Sequence, residues 1–183
     1  MFFKYSEIMK KLVLLISVLM AIACNSNKSE SSAEINSEKM TQYYFIRHAE
    51  KDTVNAQDKD PLLTEQGIMR ADNWAKIFKE IPFDFIYSSD YKRTKSTAQI
   101  IADSQKKEVQ LYSSKKLNDE EFQENTKGKT VLVVGHSNSN PQFVNYILGQ
   151  EKYQDLSEEN YGSLFIVNVS PDGTKSSQVL NID

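Results

Sequence analysis

Short β-branched and aromatic runs alternate along this chain with stretches whose apolar residues recur every three or four positions. That is the rhythm of strands and helices in turn. Thr41–Arg47 predicts a first strand. Thr64 is a candidate N-cap for a helix running to Lys79, with Ile68, Ala71, Ala75 and Phe78 spaced for one buried face. Phe83–Tyr87 reads as a second strand, and Ser88-Ser89-Asp90 offers N-caps for a helix from Tyr91 to about Asp103. Thr94, Thr97, Ala98 and Ile101 would form its inner stripe. Val109–Tyr112 is a short strand, whereas Thr130–Val134 is wholly apolar, the pattern of a strand covered on both faces of a parallel sheet. Pro141 opens a helix that Leu148 and Gly149 end. Ser163–Val169, a Pro171-Asp172-Gly173 turn and Ser176–Leu180 close the chain as a hairpin. The order predicts an α/β fold: a mostly parallel sheet with helices on both faces and a C-terminal β-hairpin.

The N-terminus follows a different pattern. Lys10-Lys11 precede an unbroken apolar stretch, Leu12 to Ala23, and Ala21-Ile22-Ala23 supply small residues before Cys24. This is the layout of an export signal, too short to span a bilayer comfortably, with Met9 the more typical starting residue than Met1. Cys24 is the only cysteine of the 183 residues, so an intrachain disulfide and a cysteine-based metal cluster are both excluded. Its place directly after the apolar stretch resembles a bacterial lipoprotein box, with Ala21 where leucine is usual. The expected organisation is a signal peptide over 1–23, a lipidated flexible tether over 24–40 and one catalytic domain over 41–183. On this reading the protein is exported and held to a membrane by its lipid. The formal charge of −3 and the lack of a basic stripe argue against a nucleic-acid partner.

Only two histidines occur, and each ends one of the apolar strands. The first stands in Arg47-His48-Ala49-Glu50, the second in Gly135-His136-Ser137-Asn138. Open α/β sheets build their sites at the carboxyl ends of such strands. Imidazole titrates nearest neutral pH, which suits it to nucleophilic attack and proton transfer.

Arg47-His48-Ala49-Glu50 resembles the signature of the histidine phosphatase (phosphoglycerate mutase-like) superfamily, and three further motifs follow in that family's order. Leu63-Thr64-Glu65-Gln66-Gly67 is similar to its helix start. Tyr87-Ser88-Ser89-Asp90 with Arg93-Thr94 and Thr97-Ala98 is similar to its second arginine motif, and Gly135-His136-Ser137-Asn138 to its second histidine motif. The resemblance spans about Tyr43 to Leu148 and implies a phosphoglycerate mutase-like fold. It implies a metal-independent phosphomonoester hydrolase without cofactor, with His48 as nucleophile and a phosphohistidine intermediate. Arg47 and Arg93 would each present a planar fork to the phosphoryl oxygens, and a protonated His136 a third contact. The family places an acid between the second arginine and the second histidine. Glu120, within Asp119-Glu120-Glu121, is assigned that role, with Asp119, Glu121 and Glu50 as alternatives.

Rival chemistries fit less well. Gly135-His136-Ser137-Asn138-Ser139 approaches a serine-hydrolase elbow, but no histidine follows it. Two distant histidines give no zinc ligand pair. A non-catalytic phosphate- or phosphosugar-binding lipoprotein would need the arginines but not a nucleophile. Within the family, the stretch from Ser104 to Lys129 is short for a mutase's substrate-enclosing insertions, and a phosphohistidine phosphatase is the other alternative. The expected substrate is a phosphorylated small molecule or an envelope phosphosugar, the latter inferred from compartment alone.

Overall fold

The structure is a computed structural model that describes residues 39–182. The predicted signal, the Met9 start and Cys24 lie outside the described residues. The elements are β1 (Thr41–Arg47), α1 (Glu65–Ile77), β2 (Phe85–Ser89), α2 (Lys92–Gln105), β3 (Val109–Tyr112), α3 (Glu120–Thr126), β4 (Thr130–Gly135), α4 (Ser139–Leu148), β5 (Ser163–Val169) and β6 (Lys175–Asn181). They form one six-stranded sheet in the order β3-β2-β4-β1-β5-β6. The first four strands of that order run parallel, and the β5–β6 hairpin joins β1 antiparallel. The predicted class and hairpin are both present.

Strand alternation divides the core in two. Tyr44, Ile46, Ile86, Leu132 and Val134 face α1 and α2 with Trp74, Phe78, Phe83, Ala98 and Ile101. Tyr43, Phe45, Tyr87, Val131 and Val133 face the other way, toward Phe122 of α3 and Phe143, Val144 and Ile147 of α4. The central strands are therefore apolar on both sides, as Thr130–Val134 suggested.

Two local expectations are corrected. In α1 the inward stripe is Gly67, Ala71 and Trp74, continued by Phe78, while Ile68 is 47% exposed. Burying a large apolar side chain is worth about 1.5–3 kcal/mol, so the fully buried Trp74 sets the helix's rotation at the expense of Ile68. Thr64 does cap α1, accepting from the backbone N–H of Gly67 at 3.0 Å. The Ser88-Ser89-Asp90 run, by contrast, does not cap α2, whose N-cap is Tyr91 without a side-chain bond. Ser88 Oγ donates to the Ser89 carbonyl at 2.8 Å, and Ser89 turns to Thr94 and His136. At the far end of α4, Gly149 adopts φ 73° and ends the helix as expected.

Candidate active site

Register brings the two histidines together. β1 and β4 are parallel neighbours in which Arg47 pairs with Gly135, so His48 and His136 leave adjacent strands at the same level. The His48 N–H donates to the Gly135 carbonyl at 2.9 Å, and the imidazole centroids lie 5.4 Å apart. Space at 135 is tight: an added Cβ would run into Asn140 Oδ1 and come within 2.8 Å of the Tyr112 hydroxyl, so those side chains would have to shift.

The other motifs hold this strand end in place. The Ala49 N–H donates to Thr97 Oγ1 of α2 at 3.0 Å, and the Thr64 N–H to the Glu50 carbonyl at 2.9 Å. A side chain at Gly67 would collide with that same carbonyl, which accounts for the glycine three residues after the cap. Glu50 itself turns to Arg70, Oε1 accepting from Nε at 2.7 Å. It is a strut between this turn and α1.

His48 is 2% exposed, and its Nδ1–H donates to the Ala49 carbonyl at 2.8 Å. That bond fixes the tautomer and leaves Nε2 with the free lone pair. Burial, with the charges of Arg47 and Arg93, pushes its pKa down to about 3. The imidazole is therefore neutral at physiological pH, the state a nucleophile needs.

His136 Nε2 lies 2.8 Å from Ser89 Oγ. The Ser89 hydroxyl donates to Thr94 Oγ1 at 3.0 Å, and Thr94 donates in turn to the Ser89 carbonyl at 2.8 Å. Ser89 must then accept from His136, so Nε2 carries the proton. Burial and the charges of Arg93, Arg47 and Lys51 lower the His136 pKa to about 4. The ring is neutral in the ligand-free protein, with Nε2–H as its donor. A dianion bound between the arginines would offset the charges that keep the ring neutral.

The arginines carry the clearest sign of an anion site. Arg47 is 1% exposed and Arg93 has a largely buried side chain, and the Nε–H of each is buried without a partner. Tyr161 stacks 4.3 Å from the Arg47 guanidinium and Tyr91 4.4 Å from that of Arg93. The pocket, of about 330 Å³, is lined by Arg47, His48, Lys51, Tyr91, Arg93 and His136, with a rim that includes Ser114, Asn138, Gln142 and Glu158.

The acid assigned from sequence does not join them. Asp119 caps α3, accepting from the Phe122 N–H at 2.9 Å, and Glu120 stands exposed in its first turn, outside the pocket lining. Glu121 lines a separate cavity with Tyr87 and Phe122. The carboxylate that lines the pocket is Glu158, in the connection between α4 and β5, which the sequence reading missed. A hydrogen bond from Ser137, then the Arg47 charge, hold its carboxyl below its ordinary value. Asp60 was also missed: it accepts from the Lys92 N–H at 2.8 Å and pairs with Arg93 at 3.5 Å. Among the described residues no three His, Cys, Asp or Glu side chains gather to hold a metal ion.

Residues 43–119 match the histidine phosphatase superfamily, branch 1. The matched residues run from β1 to the start of the connection after β3. A 2,3-bisphosphoglycerate-dependent phosphoglycerate mutase of Thermoplasma acidophilum is 33% identical over 126 residues, 66% of this chain. The chain spans 58% of that relative's length. The fold is shared with a phosphoserine phosphatase of Entamoeba histolytica solved with 3-phosphoglyceric acid, at TM-score 0.59 and 21% identity over 78% of this chain and 97% of that one. It is shared too with the protein histidine phosphatase SixA solved with tungstate, at TM-score 0.59 and 15% identity over 76% and 96%.

The depressed histidine values have a direct consequence. A free imidazole titrates near 6.5, whereas the folded pair titrates near about 3 and 4. Between those values the unfolded chain binds more protons, so stability falls as pH drops from 6.5 toward 4. We expect NMR titration of the ligand-free protein to show neither ring protonating near pH 6.5, with the melting temperature declining across the same interval.

Proposed function

We propose that this domain is a phosphomonoester hydrolase working through a phosphohistidine on His48. The observation that carries the reading is the neutral His48, with Nε2 free, beside two arginines whose buried Nε–H groups lack partners. A phosphoryl group held by those donors would have its charge offset while Nε2 attacks phosphorus. The P–O bond breaks as the bond from Nε2 to phosphorus forms, and the leaving oxygen takes its proton from solvent water. Water then attacks the phosphohistidine, giving inorganic phosphate and free His48. The positive charge needed comes from the arginines, with no metal assigned a role.

A hydrolase is favoured over a mutase because the β3–β4 connection holds a single seven-residue helix, α3, with little chain to enclose a substrate. The rim residues Ser114, Ser137, Asn138 and Gln142, with the aromatic Tyr91, suit a small hydroxylated phosphate ester such as a phosphosugar. With export and a lipid on Cys24, which we also propose, that substrate would be met in the cell envelope. A binding protein without turnover is disfavoured, since it would gain nothing from a neutral, correctly oriented His48.

Glu158, the carboxylate in the pocket lining, is bonded to Arg47 and Ser137 and held below its ordinary pKa, which makes it a poor proton donor to the leaving oxygen. This favours substrates whose leaving group needs little help, a phosphohistidine among them, and keeps that second reading open. The test is the hydrolysis of a series of aryl phosphates with a chelator present. We expect metal-independent release of inorganic phosphate, with kcat/KM falling about tenfold or more for each strongly basic step in the leaving group. Inhibition by the chelator, or transfer of phosphate with no release, would count against the reading.

A further inference from the structure

Arg47 has five N–H donors in a rigid plane. Nη1 is used by the chain between α4 and β5: it donates to the carbonyls of Ser157 at 3.1 Å, Glu158 at 2.8 Å and Asn160 at 3.1 Å. Nη2 donates to Glu158 Oε2 at 2.8 Å. Nε is buried and unpartnered. What this arch leaves open is one edge of the guanidinium, the Nε–H and the neighbouring N–H of Nη2. That side-on fork matches two oxygens of a phosphoryl group.

Glu158 is the one side chain in the arch that bonds to the guanidinium. Its second oxygen, Oε1, accepts from Ser137 Oγ at 2.8 Å, and Ser137 follows His136 directly. The carboxylate thus joins the first histidine motif to the second, although its side chain is 67% exposed. Glu158 uses one N–H of Nη2, so the Nε–H and the other Nη2 N–H remain for a phosphoryl group, and the two can bind Arg47 at once.

We infer that Glu158 is the positioning residue of the phosphate site: it turns Arg47 so that the Nε–Nη2 edge faces the phosphoryl group, and it anchors that setting to Ser137. This rests on the proposed phosphoryl chemistry for its purpose but is measured without turnover. The opposite idea, that the carboxylate occupies Arg47 and must be displaced, predicts the opposite sign.

Calorimetric titration of the full-length protein with inorganic phosphate separates them. Glu158→Ala is expected to raise the phosphate Kd about tenfold, while Glu158→Gln, whose amide oxygen still accepts from Nη2, stays within about threefold of the wild type. Ser137→Ala, which removes only the outer tether, is expected to raise Kd about twofold to threefold. In turnover, the alanine variant's loss is expected to fall chiefly on KM. An unchanged or lower Kd in Glu158→Ala overturns the inference, as does a lowered melting temperature with Kd and KM intact. A wild type that binds phosphate yet hydrolyses no ester removes the hydrolase reading alone, and the Kd ratio still decides the role of Glu158.

Discussion

Replacing His48 with alanine is expected to take ester hydrolysis to background while the protein keeps its fold and still binds orthovanadate. The ring's hydrogen bond is local, Nδ1–H to the carbonyl of the next residue, so no distant element depends on it. What disappears is Nε2, the lone pair held ready at neutral pH by burial and two guanidinium charges. Arg47, Arg93 and His136 remain to bind an oxyanion, and binding without an attacking atom leaves the covalent route closed. The check is steady-state hydrolysis of an aryl phosphate by wild type and variant, alongside a quench in alkaline detergent. The wild type should yield an acid-labile, base-stable phosphoprotein and the variant none. Retained turnover in His48→Ala would end the phosphohistidine mechanism.

The second large effect separates the two arginines. Arg93→Ala should lower kcat/KM by a factor on the order of 10² or more with little change in melting temperature. Its fixed partners are a stacked Tyr91 and a long 3.5 Å pair with the part-exposed Asp60, which water can take over. Arg47→Ala should cost as much in rate and also destabilise the fold. Its removal takes the guanidinium from the Glu158 and Asn160 carbonyls, each costing about 1–3 kcal/mol where water does not replace it. Paired kinetics and thermal melts distinguish these outcomes. An Arg93→Ala enzyme of near wild-type rate would remove that residue from the phosphoryl site.

Much of the fold was legible because periodicity reports burial. The apolar run Thr130–Val134 and the Thr94, Thr97, Ala98 and Ile101 stripe could be placed from spacing alone. The rotation of α1 was not, since Ile68 and Trp74 compete for the same face and only the volume of the pocket beneath the helix chooses between them. Nor could spacing show that Ser89 would turn to His136 and Thr94 instead of capping α2.

By itself the sequence determined the strand-and-helix order, the two histidines at strand ends and the two arginine motifs. These are local properties, set by residue type and by near neighbours along the chain. The tertiary structure alone decided which carboxylate meets them. Glu120 follows the second arginine in the expected interval, yet it stands outside the pocket at the exposed start of α3. Glu158 reaches Arg47 across 111 residues, because the antiparallel pairing of β5 with β1 sets Leu164 beside Ile46 and brings the chain before Ser163 to the strand end. No pattern of neighbours encodes that meeting, since an exposed polar segment has no periodicity, and its position depends on the register of two strands far apart in the chain.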